Sequence, residues 1–144
     1  MINILTGIDS SASALDAERI RMDVIAGNIA NANVTRGADG KPYQRQEVVF
    51  ESVLRAQQDA DAPGAGGESV RIARVQKDGR PPRMIYNPSH PDANAQGMVA
   101  MPNINIHEEM VDMIASSRSY EANLAVVKNA RTMAMQALSI GKHA

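Results

Sequence analysis

The sequence predicts a mainly α chain: an antiparallel pair of long N- and C-terminal heptad helices, coiled-coil-like, with a small β-rich middle region. Three observations predict it. Apolar residues recur at alternating spacings of three and four at both ends of the chain. Turns rich in proline and glycine punctuate the stretch between. Aromatic residues, which dominate buried area in deep cores, make up only 3% of the chain, leaving nine Met with Ile, Val, Leu and Ala to pack it.

Residues 1–34 read as the first helix. Its seam runs Leu5, Ile8, Ala12, Leu15, Arg19, Met22, Ala26, Ile29, broken only at Arg19. Asp9, Asp16 and Asp23 recur every seventh residue beside it, as a solvated outer stripe would. The pattern runs out in GNIANANVT, which holds Asn28, Asn31 and Asn33. Asparagine is a poor interior helix residue and a good terminator. Asn28 and Asn31 share a helix side, so two readings stand. They cap their own helix, or they hydrogen-bond a neighbour's backbone and fix the register between subunits.

Residues 35–104 carry strand and turn signals. RGADGKP is a turn cluster, and YQRQEVVFE follows with Tyr43, Val48 and Phe50 as apolar points. APGAGG reads as a loop. ESVRIARVQ alternates well through Val70, Ile72 and, after a polar Arg74, Val75, with charged Arg71 between. KDGRPP is a turn and RMIY a short strand. YNPSHPDANAQGMVAMPN reads as an extended connector, because Pro88, Pro91 and Pro102 forbid a continuous helix.

Residues 105–144 read as the second helix. Asn105 suits the N-cap, with Glu108 at the capping-box position, and Glu108 and Glu109 favour the positive end of the helix dipole. The seam runs Ile106, Met110, Met113, Ser117, Tyr120, Leu124, Val127, Arg131, Ala134, Leu138, and Gly141 ends it. A two-helix hairpin of this kind buries little surface by itself, so the pattern implies packing against further copies.

Composition excludes several functions. A net charge of −1 gives no basic surplus for nucleic acid or an anionic membrane, and no stretch is apolar enough to span a bilayer. The N-terminus lacks the basic and apolar regions of a Sec signal peptide. Without cysteine there is no disulfide or thiol chemistry. Ser89-His90-Pro91-Asp92 places triad residue types side by side, but triads are assembled from residues distant in sequence. His107-Glu108-Glu109 lacks the further ligands a metal needs. No catalytic residue, cofactor or metal is expected.

GNIANANVT at the end of a heptad helix resembles the bacterial flagellar rod and hook axial proteins, matched at Ala26, Asn28, Ile29, Ala30, Asn31 and Thr35. The C-terminal half resembles the proximal-rod branch of that family, at Pro88, His90, Pro91, Asp92, Ala93, Gly97, Met101-Pro102-Asn103, Glu109-Met110-Val111 and Ser117–Asn123. The resemblance spans nearly the whole chain and is weak only over residues 52–82. It implies a structural subunit of the shaft that crosses the periplasm and carries motor torque to the hook. It implies export through the flagellar type III apparatus without a cleaved signal peptide. The implied partners are copies of the chain, other rod proteins and the adaptor near the export gate. Another proximal- or distal-rod subunit, or a coiled-coil export chaperone, is the alternative. Subunit contacts are expected at Leu5, Ile8, Leu15, Met22, Asn28, Ile29, Asn31, Met110, Met113, Tyr120, Asn123, Leu124, Val127 and Leu138. Substitution within 59–67 is expected to leave assembly intact.

Overall fold

The computed structural model of the chain describes residues 4–54 and 68–141. Its elements run α1 (Ile4–Ala30), β1 (Gln46–Leu54), β2 (Glu68–Lys77), β3 (Arg83–Tyr86), β4 (Met98–Met101) and α2 (Ile106–Gly141). Two long helices bracket two antiparallel two-stranded sheets, β1–β2 and β3–β4. The fold class is the one the sequence predicts. Residues 59–67 lie outside the described residues.

Helix α1 has 27 residues and α2 has 36. At 1.5 Å per residue they are rods of about 40 and about 54 Å. Both ends that meet at the middle region are capped by asparagine. Asn31 donates its backbone N–H (3.1 Å) and its Nδ2 (2.7 Å) to the Gly27 carbonyl, so it closes its own helix. Asn105 Oδ1 accepts the His107 N–H at 3.1 Å, and Asn105 Nδ2 donates to Glu108 Oε1 at 2.9 Å. The cap at α2 therefore forms as expected, except that Glu108 returns to the cap side chain rather than to its backbone. The start of α2 lies against the end of α1, and the helices pack antiparallel.

The β1–β2 ribbon lies against α1. Its register steps between Val49 and Phe50, because Val49 faces Arg74 whereas Phe50 faces Ile72. Ala73 is thus the extra residue of a β-bulge. The step from Ile72 to Val75 in the sequence spans this bulge. Across it, Val70, Ile72 and Val75 stay on one face with Val48 and Phe50. Three points fix the ribbon on α1. Ser13 Oγ accepts the Val70 N–H at 3.3 Å, Arg21 lies 5.9 Å over the Phe50 ring, and Asn28 bonds Gln46. Spacings of eight and seven put these three residues on one helix side.

The connector reading of residues 86–103 needs correction. Met98–Met101 is a strand, pairing with Arg83–Tyr86. The loop between them is held by Asn87 N–H to Gly97 O (2.8 Å) and Asn94 N–H to Met98 O (2.9 Å). Gly97 has φ +74°, and a Cβ there would stand 3.0 Å from Tyr86 and 3.2 Å from Pro88. Pro102 ends the strand and is buried, which is why the sequence read as irregular: a short strand sits between a glycine turn and a proline.

The helix seams also differ from their sequence reading. On α1 the deeply covered residues are Ala17, Ile25 and Asn28, followed by Ala32 just past its end. Ala12, Arg19 and Ala26 are exposed. On α2, Glu109, Ser116 and Ala130 are buried, with Met113, Tyr120, Asn123, Val127 and Ala134 half-buried. These fall at alternating spacings of four and three. Of the predicted α2 stripe, Met113, Ser117, Tyr120, Val127 and Ala134 are half-buried, whereas Ile106, Met110, Leu124, Arg131 and Leu138 are exposed. The chain's own contact therefore overlaps the stripe in part, and its three fully buried positions on α2 are Glu109, Ser116 and Ala130. Asp9, Asp16 and Asp23 are exposed, as the outer-stripe reading expects. The remaining apolar core, Val99 and Ile104 with Pro102 and Ala32, lies where α1 ends and α2 begins.

Candidate functional site

Two features stand out where the helices meet the middle region: a buried polar junction, and an apolar helix face left uncovered. The junction is centred on Asn28, 1% exposed in the last turns of α1. Its Oδ1 accepts the Gln46 N–H at 2.9 Å and the Tyr43 hydroxyl at 3.2 Å. Its Nδ2 donates to the Gln46 carbonyl at 2.8 Å and to Glu109 Oε2 at 3.0 Å. A primary amide has two donors and two acceptor lone pairs, and Asn28 uses all four. All four positions are used within this chain, where the side chain joins three segments. Asn31 takes the helix-capping role described above.

Glu109, also 1% exposed, continues the junction. Arg45 Nε lies 2.6 Å from its Oε1. Arg45 reaches Glu47 at 3.7 Å and Asp78 at 4.0 Å. Asp78 accepts from Arg80 Nε at 2.7 Å, and that guanidinium holds its carboxyl below the usual carboxylate range. Burial, and then the charge of Glu109, raises the Tyr43 phenol above its ordinary value. The sequence places Glu109 in the first turn of the helix and in the Glu109-Met110-Val111 motif, with no partner named for it. Its burial depends on Arg45 and Asn28, 64 and 81 positions away, which no local pattern reports.

A second tie joins the two motif regions. Thr35 Oγ1 donates to Asp92 Oδ2 at 2.8 Å, and Arg36 lies 3.6 Å from Asp92 Oδ1. His90 Nδ1 accepts the Asp92 N–H at 3.1 Å. Ser89-His90-Pro91-Asp92 is therefore a turn whose carboxylate anchors the exit of α1. Among the described residues no cluster of His, Cys, Asp and Glu could hold a metal, and no helix is long and apolar enough to cross a membrane.

The apolar residues predicted as contacts divide into two sets. Met113, Tyr120, Asn123 and Val127 are half-buried in the chain's own fold, as are Ile8, Leu15, Met22, Ile29 and Asn31. Met110 (51%), Leu124 (50%) and Leu138 (74%) are exposed, and Ile106, Val111, Ile114 and Met135 are exposed with them. The side chain of Leu5 lies outside the described residues. The exposed set flanks the intrachain seam along α2.

Comparison with known proteins agrees with this architecture. Residues 8–38 match the flagella basal body rod protein family, and residues 95–140 match the flagellar basal body rod FlgEFG protein C-terminal family. The chain is 38% identical to flagellar basal-body rod protein FlgC of Borreliella burgdorferi, over 96% of this chain and 98% of the relative. It is 39% identical to the FlgC protein of Bacillus subtilis, over 94% and 96%. It is 39% identical to that of Salmonella typhimurium, over 96% and 98%. The two matched regions contain α1 with its exit and β4 with α2, the segments that Asn28–Glu109 ties together, and the chain belongs to the flagellar basal-body rod protein family.

Proposed function

We propose that the chain is a non-enzymatic structural subunit of the flagellar proximal rod, assembling with copies of itself and other rod proteins into the shaft that carries torque to the hook. The observation that carries this is the uncovered apolar side of α2. Met110, Val111, Ile114, Leu124, Met135 and Leu138 are all at least half exposed along one 36-residue helix. An isolated protein would place charge there, and a run of exposed apolar side chains marks an interaction surface.

The partial cover of the heptad stripe supports the same reading. The chain's own helix pairing covers part of the stripe and leaves Ile106, Met110, Leu124 and Leu138 outside. Ile106, Met110, Leu124 and Leu138 on α2, and Leu5, Ile8, Leu15, Met22 and Ile29 on α1, would then contact neighbouring subunits. Residues Met113, Tyr120, Asn123, Val127 and Asn31 border the same seam. The adaptor near the export gate is a further partner, and the type III apparatus delivers the chain without cleaving a signal peptide.

Mass spectrometry of detergent-extracted hook–basal bodies tests the proposal. The chain is expected to be enriched there, with an intact N-terminus. A chain that stays in the soluble fraction and is absent from the particle would overturn it.

A further inference from the structure

We propose that Asn28, Arg45 and Glu109 form a latch that makes docking of the β1–β2 ribbon and pairing of α1 with α2 a single event. Each member is needed by two of the three segments. Asn28 spends two of its four hydrogen-bonding positions on the Gln46 backbone and one on Glu109 of α2. Glu109 receives one donor from α1 and the other from Arg45, which enters with the ribbon.

The coupling follows from what happens when one segment is missing. If α1 and α2 close without the ribbon, Glu109 is buried without its guanidinium, and Asn28 is buried with three of its four partners gone. A buried carboxylate lacking its partner is strongly penalised. If the ribbon docks without α2, Arg45 loses Glu109 and Asn28 Nδ2 loses an acceptor. The junction lines an open groove of about 330 Å³ in which Asn28, Arg45 and Glu109 sit beside Val24, Ile25 and Phe50. The polar contacts are the ones that all three segments share there. The inference stands apart from the rod proposal, since it concerns the folding of one chain. It adds that only a chain with its ribbon seated presents paired helices to a neighbour.

Hydrogen–deuterium exchange on the full-length chain, read by mass spectrometry over peptides 43–50 and 106–114, tests it. In dilute wild-type chain the two peptides are expected to be protected together or exposed together. Where neither is protected in dilute solution, the same peptides are followed in isolated basal bodies. Glu109 holds Gln46 through Asn28, and with Glu109→Gln, exchange in 43–50 is expected to accelerate more than tenfold along with 106–114. Should Glu109→Gln unfold the whole chain, Tyr43→Phe serves instead. It contacts Asn28 alone in the latch, and is expected to speed exchange several-fold in both peptides. Protection of 43–50 that survives while 106–114 loosens, in either variant or in wild type, would overturn the latch and leave the rod proposal standing. Absence of the wild-type chain from basal bodies would overturn the rod proposal and leave the latch standing.

Discussion

Asn28 Nδ2 and Glu109 Oε2 lie 3.0 Å apart across the helix pair, 81 positions apart in sequence and both within side chains only 1% exposed. An amide and a carboxylate are the largest polar groups that the fold hides. Neither position tolerates a change that leaves the other without its partner.

Asn28→Ala removes four hydrogen bonds and strands the Gln46 backbone and one oxygen of Glu109. A loss of about 3–5 kcal/mol is expected from the unsatisfied groups. Asn28→Asp is expected to be worse despite its shape, because its second oxygen would face Glu109 and the Gln46 carbonyl as an acceptor. Urea denaturation of the two variants, ranked against wild type, checks the order. A milder effect for Asp than for Ala would show that the donor role of Asn28 is unimportant.

Glu109→Ala leaves Arg45 without its strongest partner and is expected to cost about 3–5 kcal/mol. Combining Glu109→Leu with Arg45→Met removes both charges at similar volume, and part of the loss is expected to return, the remainder being the Asn28 Nδ2 donor left without its acceptor. Midpoints of chemical denaturation for the single and paired variants make the comparison. If the pair were additive, the ion pair would not be the source of the cost.

The Tyr43 phenol is raised above 10.0, first by burial and then by Glu109. The folded chain thus holds this proton more tightly than the unfolded chain. The corresponding stability is fully present below the unfolded value of about 10, and is lost as pH rises through the higher folded value. Melting temperatures are expected to fall more steeply with alkali for wild type than for Tyr43→Phe. Parallel alkaline curves for the two proteins would exclude Tyr43 as the group responsible.

Leu124 is half exposed, so Leu124→Ala is expected to change the stability of the chain by about 1 kcal/mol or less. The same change is expected to stop assembly, seen as loss of swimming and of the chain from basal bodies. Normal swimming would remove Leu124 from the proposed contact surface.

Local chemistry was legible in the sequence, and long-range chemistry was not. Asn105 announced the start of α2, because a cap acts within one turn. The strand at Val70–Val75 reads as regular alternation; the bulge at Ala73 becomes readable only once the pairing with β1 is known. The heptad stripes were real but are only partly covered by the chain itself: Met113, Tyr120 and Val127 are half-buried, whereas Met110, Leu124 and Leu138 are exposed. Periodicity reports where apolar residues lie, not which partner covers them. Strand β4 was hidden by its neighbours Gly97 and Pro102. The Asn28–Arg45–Glu109 junction left only two traces: Asn28 in the first motif and Glu109 in the second. Asking what two motif residues of opposite hydrogen-bonding character do for each other would have been the clue.

The way α1 crosses the ribbon has a consequence for how such chains can polymerise. Two-stranded ribbons have bare edges, and bare edges invite indefinite strand-by-strand growth into fibres. Here Asn28 occupies both main-chain groups of Gln46 on β1, and Ser13 occupies the Val70 N–H on β2. One helix stoppers both edges of the ribbon at those points. A protein meant to add to a growing filament thereby closes off an uncontrolled route of growth through its own β-strands.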